Sequence, residues 1–125
     1  MPQLATSGAT ARERVLAGIA FMDRVTPGWR LKIKPDRLNI QSDCTCAIAQ
    51  VHGSFNEHWQ RLFGNDLKRA ADLGFYAHAA HTRGARDEYA VLTAEWKKVL
   101  AAENAAREQV QGHIAQKRQF ARAAA

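Results

Sequence analysis

The sequence predicts a mainly all-α protein in which a compact bundle of short helices packs on a long C-terminal helix. Apolar residues recur at three- and four-residue steps along most of the chain, which is typical of helices with one buried face. Isolated glycines follow the apolar stretches at Gly53, Gly64 and Gly74, where helices commonly end. A chain of 125 residues has room for one hydrophobic core. We therefore expect a compact helical domain over residues 1–100 and a helical extension of the same domain over residues 101–125.

The first helix is predicted from about Ala11 to Arg24. Thr10 and Glu13 have the spacing of a capping box, in which each side chain accepts a hydrogen bond from a backbone N–H that lacks a partner within the helix. The apolar residues that follow share one helical stripe; they are Val15, Leu16, Ile19 and Met22.

A turn and a short extended segment are predicted next. Pro27 has no backbone N–H and Gly28 permits a turn, so the chain is expected to change direction before Trp29. Leu31 and Ile33 then alternate with basic residues, which predicts an extended segment at Arg30-Lys34, although no partner strand is evident. Residues 35–39 begin with proline and predict one helical turn.

Three short helices are predicted between residues 43 and 73. Asp43 is expected to cap the first, which ends at Gly53. Ser54 and Glu57 repeat the capping-box spacing at the start of the second. Asn65 is expected to cap the third.

A long helix is predicted from about Ala85 to near the end of the chain. Its apolar residues recur at helical spacing and are Tyr89, Leu92, Trp96, Val99, Ala106, Val110 and Ile114. Some thirty residues at about 1.5 Å each exceed the width of a compact domain of this size, so the C-terminal half should project. Beyond Leu100 the apolar seam is thin, and we expect it to need a partner: the chain's own N-terminal segment, a second copy, or another protein.

The charge of the chain favours weak attraction to nucleic acid or acidic surfaces. The net charge is +6, and residues 1–40 hold seven Lys/Arg against three acids. Residues 54–73 also have the outline of a helix-turn-helix. The candidate nucleic-acid contacts are therefore Arg30, Lys32, Lys34, Arg37, Lys68 and Arg69. No apolar run is long enough for a membrane span and no signal-peptide pattern is present, so a cytoplasmic protein without membrane contact is expected.

Metal binding and catalysis are alternatives that the spacing disfavours. Cys44 and Cys46 together with His78 and His81 offer the ligand set of a zinc site, but both pairs are closer than the usual ligand spacings. A thiol nucleophile would need a base such as His52 beside it, and no motif for an oxyanion hole or a phosphate loop accompanies it. We expect no cofactor, no metal and no enzymatic activity, with Cys46 buried as a small apolar residue.

A set of residues in one order resembles an uncharacterised family of small proteins from actinobacteria and the phages that infect them. The matching residues are Asp23, Pro27-Gly28-Trp29, Ile33, Asp36-Arg37-Leu38, Cys46, Gln50, Gly53, Phe55, Leu73-Gly74-Phe75, Tyr89, Leu92-Thr93 and Trp96. The chain departs from this pattern at Met22, where Leu is usual, at Ala49, where Gly is usual, and over residues 56–61. The resemblance implies a phage or prophage origin, a location in the host cell cytoplasm and a structural role for these residues, and it implies no known activity.

These observations together predict a non-enzymatic accessory protein, encoded by a phage or prophage, that binds another macromolecule. The expected contact is a protein partner, or a second copy, at the C-terminal helix. A small basic DNA-binding or regulatory protein is the leading alternative, and a virion or assembly component is a further one.

Overall fold

The computed structural model describes residues 9–80 and 82–124, with side chains up to residue 115. This part of the chain contains helices and turns and no strand, so the all-α prediction is confirmed. The α-helices are α1 (Ala11–Val25), α2 (Ala47–His52), α3 (Phe55–Phe63), α4 (Leu67–Asp72) and α5 (Ala85–Ala124), and two 3₁₀ helices span Trp29–Lys32 and Pro35–Arg37.

α1 begins with the predicted capping box. The Glu13 N–H donates to Thr10 Oγ1 over 3.1 Å, and the Thr10 N–H donates to Glu13 Oε1 over 3.0 Å. The helix ends at Val25, one residue beyond the predicted end. Three residues of the predicted apolar stripe, Val15, Ile19 and Met22, are buried in the core where α1 packs on the first half of α5, whereas Leu16 is 44% exposed.

Two tryptophans occupy the middle of the core. Trp29 and Trp96 are 1% and 0% exposed, and their rings meet edge to face at 6.3 Å. Each indole N–H has a partner, because Trp29 Nε1 donates to Asp23 Oδ1 and Trp96 Nε1 donates to the Gly74 carbonyl. Trp59 is only half-buried.

Two glycines let the backbone of α1 approach the turn that follows α4. A Cβ on Gly18 would lie 2.1 Å from the Leu73 carbonyl oxygen. Gly74, at φ 78°, faces the backbone of Arg14 and Val15, and a Cβ there would lie 3.2 Å from the Val15 nitrogen. This reciprocal contact allows α1 and the α4 turn to pack backbone to backbone.

A largely buried ion pair joins α1, α4 and the start of α5. Arg14 is 6% exposed; its Nε donates to the Ala71 carbonyl and its Nη2 lies 2.9 Å from Glu88 Oε2. Glu88 in turn accepts the backbone N–H groups of His78 and Ala79 at 2.6 and 2.8 Å. The start of α5 and the loop before it are thereby anchored to α1.

The predicted extended segment at Arg30-Lys34 is wrong. After the turn at Gly28, where φ is 82°, the chain continues as a 3₁₀ helix over Trp29–Lys32. The Leu31 N–H donates to the Gly28 carbonyl, and Leu31 is 93% exposed while Trp29 and Ile33 are buried. The alternation of Leu31 and Ile33 with basic residues therefore does not mark a buried face, because only Ile33 of the two is buried, and the described residues contain no strand with which the segment could pair.

Two of the predicted caps around α2 and α3 are also wrong. Cys46, and not Asp43, caps α2, because Cys46 Sγ accepts the Ala49 N–H at 3.4 Å. Ser54 occupies the cap position of α3 without a capping bond from its side chain. Its hydroxyl instead donates to Asp43 Oδ2 at 2.6 Å, and Asp43 Oδ1 accepts the Asn56 N–H at 2.8 Å. The carboxylate of Asp43 thus reaches forward across α2 to satisfy the start of α3.

The predicted cap of α4 is displaced by one residue. Asp66 accepts the N–H groups of Lys68 and Arg69, whereas Asn65 adopts a positive φ of 66° in the turn. Asparagine tolerates this left-handed conformation better than most residues, so Asn65 serves the turn and leaves the cap to its neighbour.

Candidate functional site

The second half of α5 projects from the domain as an exposed helix. From Ala101 to Ala115 every side chain is exposed apart from Glu103, which is half-buried. Residues 101–124 of the helix span roughly 36 Å at about 1.5 Å per residue. Val110 and Ile114 are 59% and 39% exposed, and at about 100° per residue they continue the helix face that buries Leu92 and Val99 within the domain. We call Ala106, Val110 and Ile114 the extension stripe.

Arg30 fixes the base of this projecting helix. Its guanidinium lies 3.0 Å from Glu103 on α5 and 2.5 Å from Asp23 on α1, and it stacks over the Trp29 ring at 4.6 Å. The hydrogen bond from Arg30 is the main reason that the pKa of Asp23 is lowered, and the two carboxylates together raise the pKa of Arg30. Arg30, which was predicted to contact nucleic acid, is therefore held by two ion pairs within the domain.

The helix-turn-helix outline does not provide a recognition helix. α4 has six residues, with Ala70 and Ala71 buried against the domain. Lys68 is paired with Asp72 at 3.0 Å, and the guanidinium of Arg69 lies 5.7 Å from the centre of the Phe21 ring. Both cations are exposed, but each already has a partner within the domain, and a helix of six residues offers few positions from which to reach base edges.

Basic side chains instead converge on an open groove between the second 3₁₀ helix and α5. The groove has a volume of about 580 Å³ and is lined by Arg37, Arg86 and Lys97, with Asp36 as its one acid. All three cations are exposed. None of them forms an ion pair with another residue in the described part of the chain. We call this site the basic groove.

Between its cations the basic groove is lined by two alanines and by two polar side chains that are already hydrogen-bonded. Ala90 and Ala94 form the α5 side of the floor. Thr93 Oγ1 accepts the Ile40 N–H at 2.9 Å, which joins the loop to α5, and Asn39 Oδ1 accepts the Gln41 N–H at 3.1 Å. These bonds fix the two walls of the groove and leave the cations as its main free functional groups.

Sequence reasoning identified Arg37 but missed Arg86 and Lys97. Positions 86 and 97 are eleven residues apart, which at about 100° per residue places them on one helix face with the residues at 90, 93 and 94. That face was visible in the sequence as the non-apolar side of the long helix. The position of Arg37 across the groove was not visible in the sequence, because Arg37 is about fifty residues from Arg86 along the chain.

The candidate zinc ligands are not brought together in the described residues. Cys44 is exposed and Cys46 is buried at the cap of α2. His78 Nε2 lies 2.7 Å from Asp72 Oδ1, and His81 lies outside the described residues. Across the described part of the chain, no group of three or more His, Cys, Asp or Glu side chains is arranged to hold a metal ion.

The thiol and imidazole considered for catalysis also have other partners. Burial raises the pKa of the Cys46 thiol, which keeps the less nucleophilic protonated form. His52 Nε2 lies 2.9 Å from Thr26 Oγ1. Burial, followed by the nearby charges of Arg61, His58 and Lys32, lowers the pKa of His52.

Residues that carry the family resemblance occupy turns and the core. Gln50 bridges two loops, because its side chain accepts the Lys34 N–H at 2.6 Å and donates to the Thr45 carbonyl at 3.0 Å. Gly53 ends α2 at φ 96°. Phe75 is 2% exposed and lies 5.3 Å from the Trp96 ring. Pro27 precedes the Gly28 turn that delivers Trp29 to the core.

Comparisons with protein-family models, with curated proteins and with solved structures found no match. None of the helices in the described residues combines the length and the apolar character needed to cross a membrane.

Proposed function

We propose that this chain is a non-enzymatic accessory protein that binds another protein through the extension stripe of α5. The observation that supports this proposal is the exposure of Val110 and Ile114, 59% and 39%, on the part of α5 that projects beyond the domain. Helices in water depend mainly on tertiary packing of an apolar face. A projecting helix that retains such a face is suited to pack against a partner.

The size of the stripe indicates a modest contribution from apolar burial. Full burial of a Val or Ile side chain contributes about 1.5–3 kcal/mol, and scaling by the exposed fractions of Val110 and Ile114 leaves roughly 1.5–3 kcal/mol for the pair. That corresponds to about a tenfold to hundredfold effect on affinity. The polar residues beside the stripe must therefore supply part of the contact, as in the rim of a protein interface.

Other features support a binding role over a catalytic one. The described Cys and His side chains considered for chemistry are buried, paired or apart from one another. The resemblance to small actinobacterial and phage proteins extends the proposal to a phage or prophage origin, in which a host or phage protein would be the partner.

The test is capture from a host lysate by four immobilised proteins. They are the full chain, a chain truncated after Leu100, the double variant Val110→Lys/Ile114→Lys and the control Ala101→Lys/Ala105→Lys. The control adds the same charge to two exposed residues on the opposite helix face, because Ala101 lies about 180° around the helix from Val110.

We expect the full chain and the control to capture the same protein, and the truncation and the stripe variant to lose it by at least about tenfold. Sedimentation of the pure chain at several concentrations identifies the case in which the partner is a second copy. Equal capture by the truncated chain would overturn the proposal.

A further inference from the structure

The basic groove carries an inference that is independent of the extension stripe. Arg37 approaches from the second 3₁₀ helix, while Arg86 and Lys97 approach from one face of α5. With a single acid, Asp36, among its lining residues, the groove has a local excess of positive charge. Such an excess in a concave surface attracts anions.

The spacing of the cations selects an extended anion over a small one. Eleven residues separate Arg86 from Lys97, so their Cα atoms lie about 16 Å apart along the helix. A single phosphate or carboxylate group would contact both side chains only if each were fully extended along the helix toward the other. A polymer with repeated negative charges can contact them together, and the alanine floor between them permits close approach.

The composition of the groove favours a nucleic-acid duplex over a single strand. Single-strand binding sites combine positive charge with aromatic side chains on which bases stack, and the residues that line this groove include no aromatic. Guanidinium groups suit the oxygens of a phosphodiester. Two of the three uncharged polar side chains that line the groove, Thr93 and Asn39, are already hydrogen-bonded to the backbone, which leaves Gln41 alone to reach a base.

We infer that the basic groove binds the phosphodiester backbone of double-stranded nucleic acid through Arg37, Arg86 and Lys97, without reading the base sequence. Phosphate contacts of this kind position a protein on a duplex and carry no direct sequence information. Three contacts give a slope of log affinity against log salt of about −2.7 on a DNA duplex. Raising the salt fourfold should therefore weaken binding by roughly 40-fold.

The experiment measures fluorescence anisotropy of labelled 20-base-pair DNA duplexes, titrated with the full chain at 50 and 200 mM NaCl. The variants Arg37→Gln, Arg86→Gln and Lys97→Gln each remove one groove charge. Lys98→Gln is the matched control, since Lys98 is exposed on α5 and does not line the groove. Two duplexes of different sequence and a 20-nucleotide single strand complete the set.

We expect each groove variant to reduce the salt effect from roughly 40-fold to roughly 12-fold, because one contact changes the slope by about 0.9. The control should retain the wild-type slope, the two duplexes should bind alike, and the single strand should bind more weakly. Circular dichroism checks that each variant is folded, and three separate groove variants keep the test decisive if one of them is not.

Several results would overturn the inference. Absence of duplex binding at 50 mM NaCl would exclude the groove as a duplex site. Equal losses in Lys98→Gln and Lys97→Gln would assign any binding to diffuse charge. Tighter binding of the single strand, or of one duplex over the other, would contradict backbone contact with a duplex.

Discussion

Replacing Gly18 by alanine tests the backbone contact at the centre of the fold. In a helix interior this change usually stabilises by about 1 kcal/mol. At Gly18, however, the new Cβ would lie 2.1 Å from the Leu73 carbonyl oxygen and 3.0 Å from the Trp96 ring. Overpacking costs about 1–3 kcal/mol and occasionally more. Since the closest atom belongs to the backbone, we take a cost of about 3 kcal/mol, which leaves a net loss of about 2 kcal/mol.

Gly112→Ala is the matched control for this prediction. Gly112 lies within α5, and a Cβ there would meet nothing within 4 Å. The same substitution should therefore only increase the helical propensity of the extension, with a gain of at most about 1 kcal/mol. The two substitutions should act with opposite signs.

Urea unfolding followed by circular dichroism measures both effects. For a domain of this size, a loss of about 2 kcal/mol corresponds to roughly 8 °C in Tm, so thermal melting is a second readout. A Gly18→Ala protein as stable as the wild type would refute the argument, because it would mean that α1 and the α4 turn are not in backbone contact.

Three further predictions concern buried and titratable groups. Arg14→Met should destabilise the fold by about 3 kcal/mol, because it leaves Glu88 without its charged partner in a partly buried position; a loss below about 1 kcal/mol in urea unfolding would contradict this. In the native protein a thiol reagent should modify Cys44 rapidly and Cys46 only after denaturant is added, since Cys44 is exposed and Cys46 is buried; equal rates would show that Cys46 is accessible. The pKa of His52 is lowered from 6.5, so the unfolded state binds the proton first and stability should fall as pH drops below about 6.5. Burial alone would raise the pKa of Glu88, but Ala79, His78 and Arg14 lower it from 4.5, so a second loss should follow below about pH 4.5. Tm measured from pH 8 to 3.5 checks both, and His52→Gln should remove part of the first loss; an unchanged first loss would disprove the assignment to His52.

The parts of the fold that depend on local spacing were predictable from the sequence. The capping box of Thr10 and Glu13 involves residues three apart, and the long helix from Ala85 follows a periodic apolar pattern over many turns. Both signals lie within the element that they specify. Tertiary contacts therefore did not change the outcome of either prediction.

The predicted helix caps failed where more than one nearby side chain was able to cap the same helix. Asp43 has the residue type of a cap for α2, but it bonds to Ser54 and Asn56 at the start of α3. Cys46, a weaker acceptor, then fills the vacant cap. The spacing rule describes which side chains are able to cap a helix, and the packing of α2 on α3 decides which of them does so.

The extension stripe and the basic groove were predictable from the sequence to different degrees, because the first depends on one helix and the second on a tertiary contact. The extension stripe follows from the length and the apolar periodicity of α5, because a helix of this length must project beyond the domain on which it packs. The basic groove could not be predicted without knowing that the second 3₁₀ helix packs beside this face of α5. Arg30, judged by charge alone, belonged to the basic surface, but the structure places it between Asp23 and Glu103.

The positions of the two proposed sites on α5 allow them to operate together. Lys97 and Val110 are thirteen residues apart, which corresponds to about 20 Å along the helix and about 140° around it. A duplex in the basic groove and a protein on the extension stripe would therefore occupy separate faces. Substitutions this far apart with no shared partner usually have additive effects, so loss of one contact should leave the other intact. Joining both ligands on one helix would then raise the local concentration of one near the other, so that the chain would act by bringing a protein to a nucleic acid.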